Sequence, residues 1–248
     1  MYRLVSGAVF LCAAGILTAG AASAAVDFGN FAVYDGTPRW GMGPLGTGAD
    51  VTYSFMATGT PCASRAEPEG CTITALDAFM PTGWRAEIEA ALGGWAAVSG
   101  LRFFEVPDAG EGFNRSGVSG DIRFGGHDLD GPGGTLAHAY FPPPNGGSAA
   151  GDVHFDMDEE WVIGFQPSGY DIFQIAAHEI GHALGLEHVD ADVLMNPYYP
   201  DDPRSWQAGD IAGIRYLYGT ADVPLPAGLP LALLGLCALG LARRRRRG

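Results

Sequence analysis

The residues with the most chemistry to offer lie in one run: His178-Glu179-Ile180-Gly181-His182-Ala183-Leu184-Gly185-Leu186-Glu187-His188. Residues four apart on a helix share a face, so His178 and His182 aim two imidazoles at one point. Glu179 stands beside them, placed to reach a water on a bound ion rather than the ion itself. Gly185 suits the left-handed turn that ends a helix, after which the chain can return His188 as a third ligand. Three imidazoles on Zn2+ leave a fourth position open for water, which is what a catalytic site requires. The short pattern His-Glu-x-x-His can arise on a helix by chance. The added Gly185 and His188 make the zinc reading specific.

A helix has to present that face. Apolar spacing predicts one over residues 170–186 and another over 82–98. In the latter Ile88, Leu92, Trp95 and Val98 recur at helical intervals behind Thr82 as a cap. Strands are expected at residues 51–55, 101–106, 121–124 and 153–155, and a short last helix at 210–217. Residues 125–151 are rich in Gly and Pro and read mostly as loop. Strands first, then a helix carrying the chemistry, indicate an α/β (α+β) layered domain. There is no internal repeat and no linker long enough for a second domain.

The extended histidine pattern resembles that of the metzincin peptidases, a clan that also places a methionine turn beneath its zinc. Val193-Leu194-Met195-Asn196-Pro197 fits that turn, with Met195 as its methionine. The matrixin branch, the matrix-metalloproteinase-like one, is similar over more of the chain, from about Pro38 to Gly219. The segments Gly131-Pro132-Gly133-Gly134-Thr135-Leu136-Ala137-His138-Ala139 and His154-Phe155-Asp156-Met157-Asp158-Glu159 resemble its metal-binding loops, and Trp95 and Asp210-Ile211-Ala212-Gly213-Ile214 also fit. The resemblance implies a mixed twisted sheet, a long active-site helix, a Met-turn and a short C-terminal helix. It implies a second, structural zinc on His127, His138 and His154. The family adds an Asp two residues after the first of these. Here that position is Leu129, flanked by Asp128 and Asp130 in a shorter loop, so the fourth ligand stays open. The alternative is three loop histidines hydrogen-bonded to backbone. Asp130, Gly131, Gly133, Thr135, Asp156 and Glu159 match the family's calcium loop, against the plainer reading of acidic loops on an acidic protein. By the same resemblance the substrate lies extended along an edge strand near residues 135–139, over Leu136 and Ala137. Pro197, Tyr198 and Tyr199 form the outer wall of the pocket, unless the two tyrosines are plain packing. Residues 25–50 hold no Cys, so the cysteine that blocks the zinc of animal matrixins is not expected.

Charge sets limits on partners. The 248 residues carry 14 basic side chains, all Arg, against 28 acidic ones, and the formal net charge is −14. Six of those Arg stand at the ends, so residues 25–222 are more acidic still. Nucleic acid as a partner is excluded, since it needs a basic face to displace counterions. Adhesion to an anionic membrane surface is disfavoured on the same ground, and a monomer is expected.

Both ends read as addresses rather than fold. Arg3, an apolar run over residues 4–19 and Ala22-Ser23-Ala24 form a signal peptide, residues 1–24, for a signal peptidase. Residues 223–248 begin Val223-Pro224-Leu225-Pro226-Ala227, continue as an apolar segment and end in Arg243 to Arg247. This layout resembles bacterial PEP-CTERM sorting tails of the Val-Pro-Leu-Pro-Ala kind, which implies an exosortase-like sorting enzyme, transient membrane association and delivery to the cell surface or beyond. A permanent anchor is the alternative. With Cys12 and Cys237 in those ends, Cys62 and Cys71 are left as one disulfide in an oxidising compartment, or as two metal thiols.

Residues 25–222 are thus expected to form a zinc endopeptidase domain that uses Glu179 as general base. A surface module keeping zinc only for folding and a cell-wall-peptide hydrolase are the rivals. The presence of Glu179 counts against the first. The Gly185–His188 extension and the Met-turn count against the second.

Overall fold

The structure is a computed structural model that describes residues 26–63, 67–113, 119–144 and 149–221. The signal-peptide and sorting-tail expectations fall outside these residues. No helix among the described residues is long and apolar enough to cross a membrane.

A five-stranded sheet organises the domain. Its strands are β3 (Ala49–Phe55), β4 (Leu101–Glu105), β5 (Ile122–His127), β6 (Ala137–Ala139) and β7 (Val153–Asp156), in the order β4-β3-β5-β7-β6. All neighbouring pairs are parallel except β6 with β7, which is antiparallel and leaves β6 at the sheet edge. Two short strands near the start of the described chain, β1 (Val26–Asp27) and β2 (Ala32–Val33), join β10 (Leu186–Glu187) in a second sheet, and β8 (Trp161–Val162) pairs with β9 (Tyr170–Asp171).

Helix α1 (Trp84–Val98) buries Trp84, Ile88, Ala91, Leu92 and Trp95, one face at helical spacing. It starts one residue after Gly83, not at Thr82, and no side chain caps it. Helix α2 (Ile172–Ala183) is buried almost throughout, and Trp95 Nε1 of α1 donates to Ala177 O of α2 at 2.9 Å. The expected 170–186 helix is therefore shorter. Its first two residues pair in β9, and the chain leaves at Leu184 to reach β10. Helix α3 (Ala208–Tyr218) opens with a reciprocal cap between Gln207 and Asp210.

Strands β5 and β7 are buried at every position, because both faces of the sheet are covered. On one face Phe124, Ala137, Ala139, Val153 and Phe155 join the main core with α1 and α2. Alternation sends His127, His138 and His154 to the other face, beneath a smaller cluster of Met56, Cys62, Ile73, Phe113, Tyr140 and Ala149. Strand β6 lies inside the 125–151 stretch read as loop. Three residues in its antiparallel pairing with β7 suffice to form it, too few for a periodic signal.

Arg123 lies at 2% exposure on β5. It donates to Asp108 through Nε at 2.8 Å and Nη2 at 2.9 Å, with Asp152 at 3.9 Å from Nη1.

Candidate metal centres and active site

Helix α2 delivers His178 and His182 one turn apart. Gly185, at φ 105°, turns the chain sharply, and a Cβ there would strike Pro38 O. The chain then pairs as β10 with β2 and returns His188. The Nε2 atoms of His178, His182 and His188 stand 3.1 Å apart in all three pairs. Bonds of about 2.0–2.1 Å at tetrahedral angles place donor atoms roughly 3.3–3.4 Å apart, so this triangle fits one zinc ion. Two tautomers are fixed from behind. Nδ1 of His178 donates to Leu194 O at 2.8 Å and Nδ1 of His182 to Leu186 O at 2.7 Å, which leaves both Nε2 lone pairs facing inward. Burial, with His188 alongside, lowers the pKa of His178 to about 3. Burial lowers His188 to about 4, and burial with His188 and His178 holds His182 well below its ordinary value. The three imidazoles are thus held neutral, as ligands must be. Glu179, fully buried, follows His178 on the same helix.

The Met-turn is held from α3. Asp210 accepts Leu194 N (2.9 Å) and Met195 N (3.1 Å) besides Gln207 N (2.8 Å). Leu194 in turn orients His178, so a carboxylate on the last helix acts on a zinc ligand through one backbone peptide. Met195 packs on Gly181, between the two helical histidines. A Cβ at Gly181 would overlap Met195 Sδ and stand 3.1 Å from Trp95 Cζ2.

The second histidine set converges as well. His138 and His154 are direct cross-strand partners, and His127 lies two residues beyond Gly125, the partner of His154 on β5. Nδ1 of His154 is 2.9 Å from His138 Nε2 and 3.3 Å from His127 Nε2. The open fourth position is filled by neither Asp128 nor Asp130 but by Glu67. Its Oε2 is 3.3 Å from His127 Nε2, and its Oε1 is 3.1 Å from His138 Nε2 and 3.6 Å from His154 Nδ1. These four buried side chains form a His-rich zinc-binding site, with edges close to the tetrahedral expectation. Burial alone would raise the Glu67 carboxyl, but hydrogen bonds from the three histidines hold it far below the carboxylate range. Tyr140 OH also donates to Glu67 Oε1, at 2.8 Å. Sequence reasoning missed Glu67, which lies 60 positions before His127. The available signal was an acidic residue between two cysteines.

Asp130 is engaged with its own loop, accepting Thr135 N and Oγ1 at 2.8 Å each, while its N donates to Asp156 Oδ2 at 3.4 Å. Glu159 Oε1 accepts Gly133 N at 2.6 Å. Carboxylate oxygens of Asp128, Asp156 and Asp158 gather within 4.8 Å of one another beside them. Gly131 and Gly133, both at positive φ, shape the turn between these acids. Burial, with Asp156, Asp130 and Asp158 nearby, raises the Glu159 carboxyl, the response of a cluster rich in like charge.

Leu136, just before β6, and Ala137, its first residue, are both buried. Pro197 is half-buried and Tyr198 stands exposed at 52%. Tyr199 turns inward. Its hydroxyl accepts Asp171 N at 3.0 Å, its ring stacks on Phe165, and burial raises its pKa to about 12. Cys62 and Cys71 are joined as a disulfide, with Cα atoms 5.0 Å apart.

Comparison with known proteins agrees with this geometry. The sequence model of the matrixin peptidase family matches residues 72–219. The chain is 43% identical to stromelysin-3 of Xenopus laevis over 152 residues, which is 59% of the chain and 30% of that protein. It is 37% identical to interstitial collagenase of Sus scrofa over 206 residues, 82% of the chain and 38% of the relative. Karilysin of Tannerella forsythia is 41% identical over 137 residues, 53% of the chain and 28% of the relative. The chain thus spans well under half the length of these relatives. Matrixins are zinc metalloendopeptidases, with a catalytic zinc and typically a structural zinc and calcium, and this chain belongs to the matrixin family.

Proposed function

We propose that this protein is an exported endopeptidase that hydrolyses peptide bonds of proteins, with Glu179 as general base. The observation that carries the reading is the triangle of inward-facing Nε2 atoms on His178, His182 and His188, with a buried carboxylate next to it in sequence. Zinc held there supplies a polarised scissile carbonyl and an acidified water. The Glu179 carboxylate takes the proton of the attacking water and returns it to the leaving nitrogen. The substrate lies along β6, whose outer edge has no strand beside it among the described residues and can pair with an extended peptide. Pro197, Tyr198 and Tyr199 bound the pocket beyond the cut bond, and the exposure of Tyr198 supports contact there. Calcium is held by the loop from Asp130 to Thr135 together with Asp156 and Glu159, and the neighbouring Asp128 and Asp158 supply further oxygens.

Export rests on the signal-like residues 1–24. Surface delivery rests on the sorting-tail pattern of residues 223–248, through a signal peptidase and an exosortase-like enzyme. The test of mechanism pairs two variants. Glu179→Gln should keep zinc and lose about 10²–10⁴ or more in rate, whereas His182→Ala should lose both metal and activity. A Gln variant keeping more than about a tenth of the rate would remove Glu179 from the base role.

A further inference from the structure

The loop that delivers Glu67 also carries two sulfurs. Cys62 and Cys71 bracket it, and their Sγ atoms lie within 4.8 Å of each other and of a ring nitrogen of His127, the histidine that also faces Glu67. Cys62 is fully buried in the small cluster that roofs the second metal centre, and Cys71 packs against that cluster. Phe113 of the same cluster stacks on the ligand His154 with centroids 5.2 Å apart. Backbone pairing, as well as the bond, brings the cysteines together. Cys62 N donates to Cys71 O at 3.0 Å, Pro61 and Thr72 form a bridge, and Ile73 N donates to Thr60 O at 2.8 Å. If the disulfide were opened, this ladder would keep two thiols side by side under the same roof.

We propose that this loop offers the buried centre two alternative ligand sets: the Glu67 carboxylate while the Cys62–Cys71 bond is closed, and the two thiolates with His127 once it is reduced. Zinc takes thiolate, imidazole and carboxylate alike, and a pair of thiolates on one hairpin is a preorganised chelate. The exchange is balanced as follows. A water-soluble phosphine gives two electrons to the sulfur–sulfur bond and leaves as its oxide, carrying the oxygen of one water. The two protons of that water go to the thiols. On ligation the thiols release those protons to solvent, and Glu67 leaves the ion. The inference does not depend on peptidase activity, only on the histidines of this centre holding a metal.

Cobalt(II) reads the exchange by colour, because thiolate ligation adds an intense near-ultraviolet charge-transfer band that nitrogen and oxygen ligands lack. Full-length protein is loaded with cobalt at both centres and its spectrum compared before and after phosphine, with thiols counted to show complete reduction. The oxidised protein should show no band. The reduced protein should show one, saturating at one cobalt per chain, present also in Glu67→Gln and absent in Cys62→Ser/Cys71→Ser. Should that double variant fail to fold, Cys12→Ser/Cys237→Ser serves instead, since it keeps no other thiols and must still show the band. Before reduction, Glu67→Gln should bind zinc at this centre at least about tenfold more weakly in chelator competition, and after reduction it should match the unsubstituted protein. Complete reduction without a band, loss of the second cobalt on reduction, or a band that survives in folded Cys62→Ser/Cys71→Ser would each overturn the proposal.

Discussion

Gly181→Ala sets two effects against each other at the centre of the active-site helix. Alanine favours the helix by about 0.8–1.0 kcal/mol over glycine. The added methyl would overlap Met195 Sδ and stand 3.0 Å from Met195 Cε and 3.1 Å from Trp95 Cζ2, against the roughly 3.5–4.0 Å of an unstrained contact. Trp95 cannot retreat, and Met195 can yield only by moving its thioether within a packed core. Trp95 is fully buried, its Nε1 is bonded to Ala177 O, and its ring meets Trp206 edge-on; Met195 is 2% exposed and its backbone is held by Asp210. Overpacking of this kind costs about 1–3 kcal/mol, and with the Trp95 wall pinned and Met195 buried the upper end applies. The net is a loss of about 2 kcal/mol, or roughly 4–8 °C in melting temperature for a domain of this size. Relief by displacing Met195 would carry Leu194 with it, and Leu194 O orients His178. Misplacement of about 1 Å near the chemistry can cost roughly 10²-fold, so kcat/KM should fall about 10- to 100-fold with zinc content unchanged. Calorimetry, metal analysis and peptide cleavage well below the transition read the three quantities. Combining the change with Met195→Ala should cost at least about 0.5 kcal/mol less than the sum of the two single effects. A Gly181→Ala protein as stable as the parent, or more so, would refute the reasoning, since helix propensity would then have won in a space described as full.

Further outcomes are expected elsewhere. Arg123→Met strands Asp108 and Asp152 in the interior and should cost about 3–5 kcal/mol at pH 7, measured by urea unfolding. Burial would raise the Asp108 carboxyl, but Arg123 and Ser54 hold it low, so its stabilising share is present above the unfolded pKa of about 3.9 and is lost as pH falls through its folded value. Without Arg123 both carboxyls sit high, and the deficit of the variant should shrink as pH falls toward 4. A deficit constant with pH would show that packing, not charge, is lost. A calcium-selective chelator should lower the melting temperature, and Asp156→Asn should blunt that response; equal responses in the two proteins would remove Asp156 from the calcium set. Tyr198→Ala should raise KM for long peptides more than for peptides with a single residue beyond the cut bond, because only the exposed outer wall is altered.

The convergence of His178, His182 and His188 was legible because they lie within eleven consecutive residues, where helical pitch and one glycine turn translate spacing into geometry. The sheet was legible where strands are long enough to alternate, as in Val51 to Phe55. It was less so at β6, whose three residues owe their form to β7. The helix over 170–186 was drawn too long, because apolar character continues through Leu184 and Leu186 while the hydrogen-bond pattern does not; Gly185 marks the break. Glu67 shows the other limit. Nothing local distinguishes it from Glu69, and only the pairing of Thr60 to Cys62 with Cys71 to Ile73, far from the histidines in sequence, brings it to them. Asp210 is similar: as a helix cap it is local, but its hold on the Met-turn exists only in three dimensions.

The small sheet of β1, β2 and β10 ties the beginning of the domain to the segment that bears His188. Val33 faces Leu186 in register, Tyr34 N donates to Gly185 O, Trp40 Nε1 donates to Ala183 O, and Tyr218 OH donates to Leu184 O. On the proposed function, this tie would also set a lifespan. A nick near residues 28–35, by the enzyme's own copies or by another, would free the strand that braces the third histidine without touching the helix that bears the other two. Such a molecule would keep most of its fold while losing grip on its metal, so damage near β1 and β2 would silence the proposed activity before degradation reached the core.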